Sequence, residues 1–158
     1  MSNKHEDFMK LAIELSIENV TSNTGGPFGA VVVKNGVVVG ASANKVTTSN
    51  DPTAHAEISA IRIACSALNT FDLAGCVIYT SCEPCPMCLG AIYWSRIETI
   101  YYANTKVDAG AIGFDDKFIY DELDKPMEKR ALPVIQMMRN EAMEAFKLWD
   151  SSSLKIEY

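Results

Sequence analysis

Three observations predict an α/β fold built on a mixed sheet with helices over both faces. They are a valine-rich hairpin near the start, helical and strand-like segments alternating after it, and an apolar fraction of 48% over 158 residues. Residues 5–20, HEDFMKLAIELSIENV, set Phe8, Leu11, Ala12, Leu15 and Val20 near helical spacing with charges elsewhere, which predicts an amphipathic helix. The glycines and proline of TSNTGGPFG break that helix. In FGAVVVKNGVVVGASA, Asn35-Gly36 supplies the positive φ angles of a tight turn between two antiparallel strands. Residues 51–69, DPTAHAEISAIRIACSALN, read as a helix with Ile58, Ile61, Ala64, Cys65 and Leu68 on one face and Asp51 or Thr53 as its cap. CVIYTS is a short buried strand, CPMCLGAIYWSR a helix, ETIYYA a strand and DDKFIYDEL a helix. After Pro126, LPVIQMM reads as the last of five strands and NEAMEAFKLWD as the last helix, carrying Met143, Phe146 and Trp149. With no linker, repeat or low-complexity stretch, one domain over residues 1–158 is expected.

A formal net charge of −6 without any basic run argues against a nucleic-acid partner, which would demand cations against phosphate. No run of about eighteen apolar residues is present, and the opening MSNKHEDF is polar, so a cytoplasmic protein with no membrane partner is expected. Five cysteines, an odd number, point in a reducing compartment to metal, catalysis or core filling rather than disulfides.

Chemistry concentrates in two places. His55 is followed two residues on by Glu57, and TSCEPCPMCLGAIYW at 80–94 sets Cys85 and Cys88 three apart, so on a helix both sulfurs fall on one side and can grip one ion. Both groups lie at predicted helix starts, where partial positive charge and unpaired N–H groups favour thiolate, the metal-binding form. One imidazole and two thiolates would leave a zinc ion three-coordinate, with the open position that catalysis needs. Such an ion lowers the pKa of its water from about 15.7 toward about 7, and Glu57 is placed to carry the proton to the substrate. The rival is a closed, purely structural site of His55, Cys82, Cys85 and Cys88, which has no room for water and leaves Glu57 unexplained. Cys65 and Cys76 read as core.

His-x-Glu followed by Pro-Cys-x-x-Cys is the signature of zinc-dependent nucleobase deaminases, and HAE and PCPMC match it residue for residue. The chain resembles the cytidine-deaminase-like superfamily, which implies a three-layer α/β/α sandwich. Within it, GGPFGAVVV, DPTAHAEISAIR, TSCEPCPMCLGAIYW and GFDD are most similar to the small guanine deaminases. The resemblance implies one Zn²⁺ per chain on His55, Cys85 and Cys88, with Glu57 as proton shuttle. It carries Phe28 over as a stacking wall, Asn44 as an amide reading the ring edge and the Ala56 backbone as a pocket contact. Trp94, Asp116 and Tyr158 carry over as purine-pocket residues. It also implies a homodimer that exchanges C-terminal segments, so that Asp116 and Tyr158 could act in the partner's pocket.

The expected activity is therefore hydrolytic deamination of guanine to xanthine and ammonia, with a small purine as substrate. Two alternatives stand beside it. One is deamination of tRNA adenosine or of another nucleoside or base, against which the acidic balance counts. The other, of a different class, is a zinc-stabilised interaction module without turnover. Bland readings exist for the pocket residues too: Phe28 and Trp94 as core, Asn44 as a turn former, Asp116 as a helix cap and Tyr158 as a frayed end.

Overall fold

In the computed structural model, which describes residues 4–158, Asn35 and Gly36 turn β1 (Gly29–Lys34) back into β2 (Val37–Ala43), with φ of 51° and 76°. On its other edge β1 pairs antiparallel with β3 (Cys76–Cys82), and β3 pairs in parallel with β4 (Thr99–Asn104). The order β2-β1-β3-β4 makes the sheet mixed, as expected. Among the described residues it has four strands and not five. Residues 132–138 form no strand, because Pro133 offers no N–H to a ladder and the apolar side chains there do not alternate between two faces. Leu132, Val134, Ile135, Met137 and Met138 are all exposed, and among the described residues no strand pairs with this run.

Helices cover both faces of the sheet. α1 (Lys4–Thr21) lays Ala12 against Val31, Val33 and Tyr79. α3 (Ala56–Leu68) lays Ala56, Ala60, Ile61 and Ala64 against Ala30, Val32 and Ile78. Successive residues of β1 thus serve opposite layers, as the pleat requires. The stripe Ala56, Ala60, Ala64 lets α3 come very close to β2: a Cβ on Gly40 would lie 2.3 Å from the Ala60 carbonyl and 2.8 Å from the Ala64 nitrogen.

One boundary and one helix face differ from expectation. α3 starts at Ala56, not at residue 51, because the Asp51 carboxylate accepts from the Thr53 N–H and hydroxyl at 2.8 and 2.7 Å and closes a separate turn. A short helix, α2 (Val46–Ser49), precedes that turn. On α1, Val20 is exposed, whereas Ser16 and Asn19 are buried. Hydrogen bonds hold Asn19 there, its Nδ2 donating to the carbonyls of Gly26 at 2.8 Å and Asn44 at 2.9 Å.

β3 leads into α4 (Pro86–Trp94), and β4 into α5 (Lys106–Ala111), which opens with a capping box between Thr105 and Asp108. Contacts group the chain into two units, divided between Asp116 and Lys117. In the second unit α6 (Lys117–Leu123) is followed by a 3₁₀ turn (Met127–Lys129) and α7 (Arg139–Ser151). There Arg130 Nε donates to the Glu122 carbonyl at 3.0 Å and the Ala131 N–H to Glu122 Oε2 at 2.6 Å. Among the described residues no helix is long and apolar enough to cross a membrane.

Candidate metal centre and active site

Two helix starts face each other on the α3 side of the sheet. His55 is the N-cap of α3 and Cys85 the N-cap of α4, each in extended backbone, and neither uses its side chain to cap. Pro86 occupies the first turn of α4, where its missing N–H does no harm. The side chains left free converge: one donor atom each from His55, Cys85 and Cys88 lies within 4.8 Å of the others. His55 Nδ1 is 3.5 Å from both sulfurs.

Those distances fit zinc. Tetrahedral bonds of about 2.3 Å to sulfur and about 2.0–2.1 Å to nitrogen put N and S roughly 3.5 Å apart. Two soft thiol donors and one imidazole also make a donor set that zinc favours over magnesium or calcium. Binding through Nδ1 leaves the ring proton on Nε2.

The electrostatics follow from crowding three titratable groups together. A hydrogen bond from Cys88 draws the Cys85 thiol down to about 4, against burial and with help from His55. Cys88 shifts the other way, because it donates that bond and is buried beside Glu57. His55 is raised, first by its hydrogen bond to Cys85, against desolvation. Zinc takes cysteine as thiolate, so binding an ion at His55, Cys85 and Cys88 would release thiol protons.

Glu57 lies in the first turn of α3, 6% exposed, and burial pushes its carboxyl above the usual carboxylate range. Its Oε2 accepts from Cys88 Sγ at 3.4 Å and its Oε1 from the Thr80 hydroxyl at 3.1 Å. The carboxyl therefore borders the donor cluster without belonging to it. Cys82 stands outside the cluster as well. Its thiol donates to the Thr105 carbonyl at 3.6 Å, and burial together with the charge of Glu57 pushes it up to about 11.

The remaining expected residues divide. Phe28 is half-buried and packs edge-on against Phe114, centroids 4.9 Å apart at 89°. Asn44 is buried; its N–H donates to the Phe28 carbonyl at 2.9 Å and its Oδ1 accepts from the Val46 N–H at 3.2 Å. Ala56 is fully buried at the head of α3. Trp94 ends α4 and is 68% exposed. Asp116 closes the first unit, half-buried, its carboxyl raised mainly by burial and then by the charge of Cys85. Tyr158 belongs to the second unit and is exposed.

Three residues with a part here escape a reading of the sequence. Asn19 ties α1 to the Gly26 and Asn44 carbonyls on either side of Phe28, and Gly25 has no room for a Cβ, which would fall 2.6 Å from the Asn44 carbonyl. Thr80, 1% exposed on a central strand, holds Glu57. An asparagine on the polar edge of an amphipathic helix, beside a Gly-Gly pair, is the available signal for the first two.

A family model described as the cytidine and deoxycytidylate deaminase zinc-binding region matches residues 2–104. Over 154 residues the chain is 53% identical to a guanine deaminase of Bacillus subtilis (strain 168), spanning 98% of this chain and 99% of that protein. It is 41% identical over 105 residues to a tRNA-specific adenosine deaminase of Agrobacterium fabrum (strain C58), spanning 66% of this chain and 68% of that one. The X-ray structure of guanine deaminase from Bacillus subtilis superposes with a TM-score of 0.95 at 52% identity, covering 100% of this chain and 99% of that one. The chain belongs to the cytidine and deoxycytidylate deaminase zinc-binding family, and it is a zinc-dependent deaminase.

Proposed function

We propose that this enzyme hydrolyses guanine to xanthine and ammonia. The observation that carries the substrate is where the likeness extends. The zinc-binding family model ends at residue 104, and the guanine-deaminase likeness runs through 98% of the chain at 53% identity, whereas an adenosine-deaminase likeness that reaches 89% of it does so at 33%. The likeness to the guanine deaminase thus stays strong beyond the zinc motif, which supports guanine as the substrate.

His55, Cys85 and Cys88 would hold the zinc, whose Lewis acidity makes water acidic enough to react at neutral pH. Glu57 then moves protons. It takes one from the attacking water and places it on ring N3; the oxygen adds at C2; and Glu57 carries the second proton to the departing amine. One water is consumed, and the two protons end on xanthine N3 and on ammonia. Phe28 stacks on the ring, Asn44 and the Ala56 backbone read its edge, and Trp94 and Tyr158 close the pocket. Asp116 accepts from N–H groups that guanine presents and adenine lacks, so the wrong base leaves a buried acceptor unpaired.

The working form is a homodimer in the cytoplasm whose C-terminal segments are exchanged. Exposed Leu132, Ile135, Met137 and Leu154, each at least 76% accessible in the single chain, supply apolar surface for that association. Purified protein assayed for ammonia release against guanine, guanosine, adenine, cytosine and cytidine tests the substrate. Release from guanine is expected, and release from cytidine with none from guanine refutes the proposal.

A further inference from the structure

We infer that Thr80 is a positioning residue for the deamination, holding the Glu57 carboxylate so that one oxygen is fixed and the other faces the donor cluster. The inference rests on the proton-carrying part assigned to Glu57 above. The Thr80 hydroxyl is 3.1 Å from Glu57 Oε1 and 2.9 Å from the Cys82 carbonyl, while Glu57 Oε2 is the oxygen turned toward Cys88, 3.4 Å away. No other side-chain hydroxyl donates to Glu57 among the described residues.

Register places the hydroxyl there. Thr80 pairs with Ala30 of β1 and with Tyr102 of β4, so its backbone is locked between two neighbouring strands. The pleat turns it to the same face as Ile78, under α3, where it is 1% exposed. A carboxylate carried on the first turn of a helix has free χ angles; a partner on a central strand removes that freedom.

Hydroxyl chemistry explains why threonine suits the position. A hydroxyl has one proton to donate and lone pairs to accept. It can donate to a bare Oε1, or accept from an Oε1 that carries a proton while donating to the Cys82 carbonyl. A proton carrier thereby keeps its hold on the protein at both ends of its cycle. Valine has the same outline and offers neither bond.

The test compares Thr80→Val and Thr80→Ser in the zinc-loaded enzyme. Thr80→Val should lower kcat by about ten- to a hundredfold, the worth of a hydrogen bond to a charged group, with KM for guanine within about twofold and one zinc still bound per chain. Thr80→Ser, which restores the hydroxyl, should recover most of kcat. Wild-type kcat in Thr80→Val, or a Thr80→Ser variant as slow as Thr80→Val, overturns the inference. Crystal structures of both variants give a reading independent of turnover. The Glu57 carboxylate should leave its position in Thr80→Val and keep it in Thr80→Ser, and an unmoved carboxylate in Thr80→Val overturns the inference. A wild-type enzyme inactive on guanine alongside a displaced carboxylate in Thr80→Val would refute the substrate and leave the positioning intact.

Discussion

Gly40→Ala probes whether the close approach of α3 to β2 is what sets the active-site geometry. The added Cβ would meet the Ala60 carbonyl at 2.3 Å, the Ala64 nitrogen at 2.8 Å and the Ala64 Cβ at 3.0 Å, all atoms that cannot rotate aside. Reaching an ordinary contact of 3.4 Å requires α3 to retreat by about 1 Å. Overpacking of that kind costs about 1–3 kcal/mol of stability. Glu57 rides on the same helix one turn before Ala60, so the retreat also stretches its 3.1 Å bond to Thr80 and its 3.4 Å approach to Cys88. A misplacement of about 1 Å lowers the rate by about a hundredfold. Urea denaturation reads the first effect and ammonia release from guanine the second. Wild-type values in both would refute the reasoning; lost stability with full activity would show that α3 recoils without moving its first turn.

Four further outcomes follow from the same structure. Gly90→Ala on α4, where no atom lies within 4 Å of the new Cβ, should stabilise the protein by about 0.5–1 kcal/mol in thermal or urea denaturation. Asn19→Ala removes hydrogen bonds to the buried Asn44 carbonyl and the half-buried Gly26 carbonyl and should cost about 1–3 kcal/mol, with a raised KM for guanine because the segment carrying Phe28 loses its tie to α1. Glu57→Gln should lose about a hundred- to ten-thousandfold in kcat while zinc analysis shows the ion retained, whereas Cys88→Ala should lose the ion as well. The Asp108 carboxyl is held below its ordinary 3.8, first by the Thr105 N–H and then by the Thr105 hydroxyl. A depressed folded pKa contributes stability above the unfolded value that is lost as pH falls through the folded one. The difference in melting temperature between wild type and Asp108→Asn should therefore shrink as pH drops below 3.8, and a constant difference would contradict the capping-box assignment.

Legibility in the sequence varies with how local each determinant is. The hairpin is legible because Asn35-Gly36 demands positive φ and the structure delivers it. His55, Cys85 and Cys88 are legible because their spacing and helix-start positions constrain where the side chains point, and the structure brings their donor atoms together. Residues 132–138 mislead, since an apolar run reports surface that must be covered and not the ladder that would make it a strand. Asp51 reads as a cap of the long helix, but its carboxylate is taken up by Thr53 two residues on, and the helix waits for Ala56. Asn19 leaves only a faint trace, an asparagine on a helix edge ahead of a Gly-Gly pair, and Thr80 leaves none. Each matters through a partner at least 23 residues away along the chain, and only the register of the strands and the packing of α1 reveal those partners.

The central claim is a zinc ion gripped by one imidazole and two thiolates beside a carboxyl that is not a ligand. Anomalous diffraction at the zinc edge from crystals of the Glu57→Gln variant, paired with elemental analysis of the same sample, tests it most directly. The account predicts one zinc per chain bonded to His55 Nδ1, Cys85 Sγ and Cys88 Sγ, with the substituted side chain at position 57 unbonded and Cys82 still facing Thr105. A protein without zinc, or an ion whose fourth protein ligand is Cys82, would contradict it.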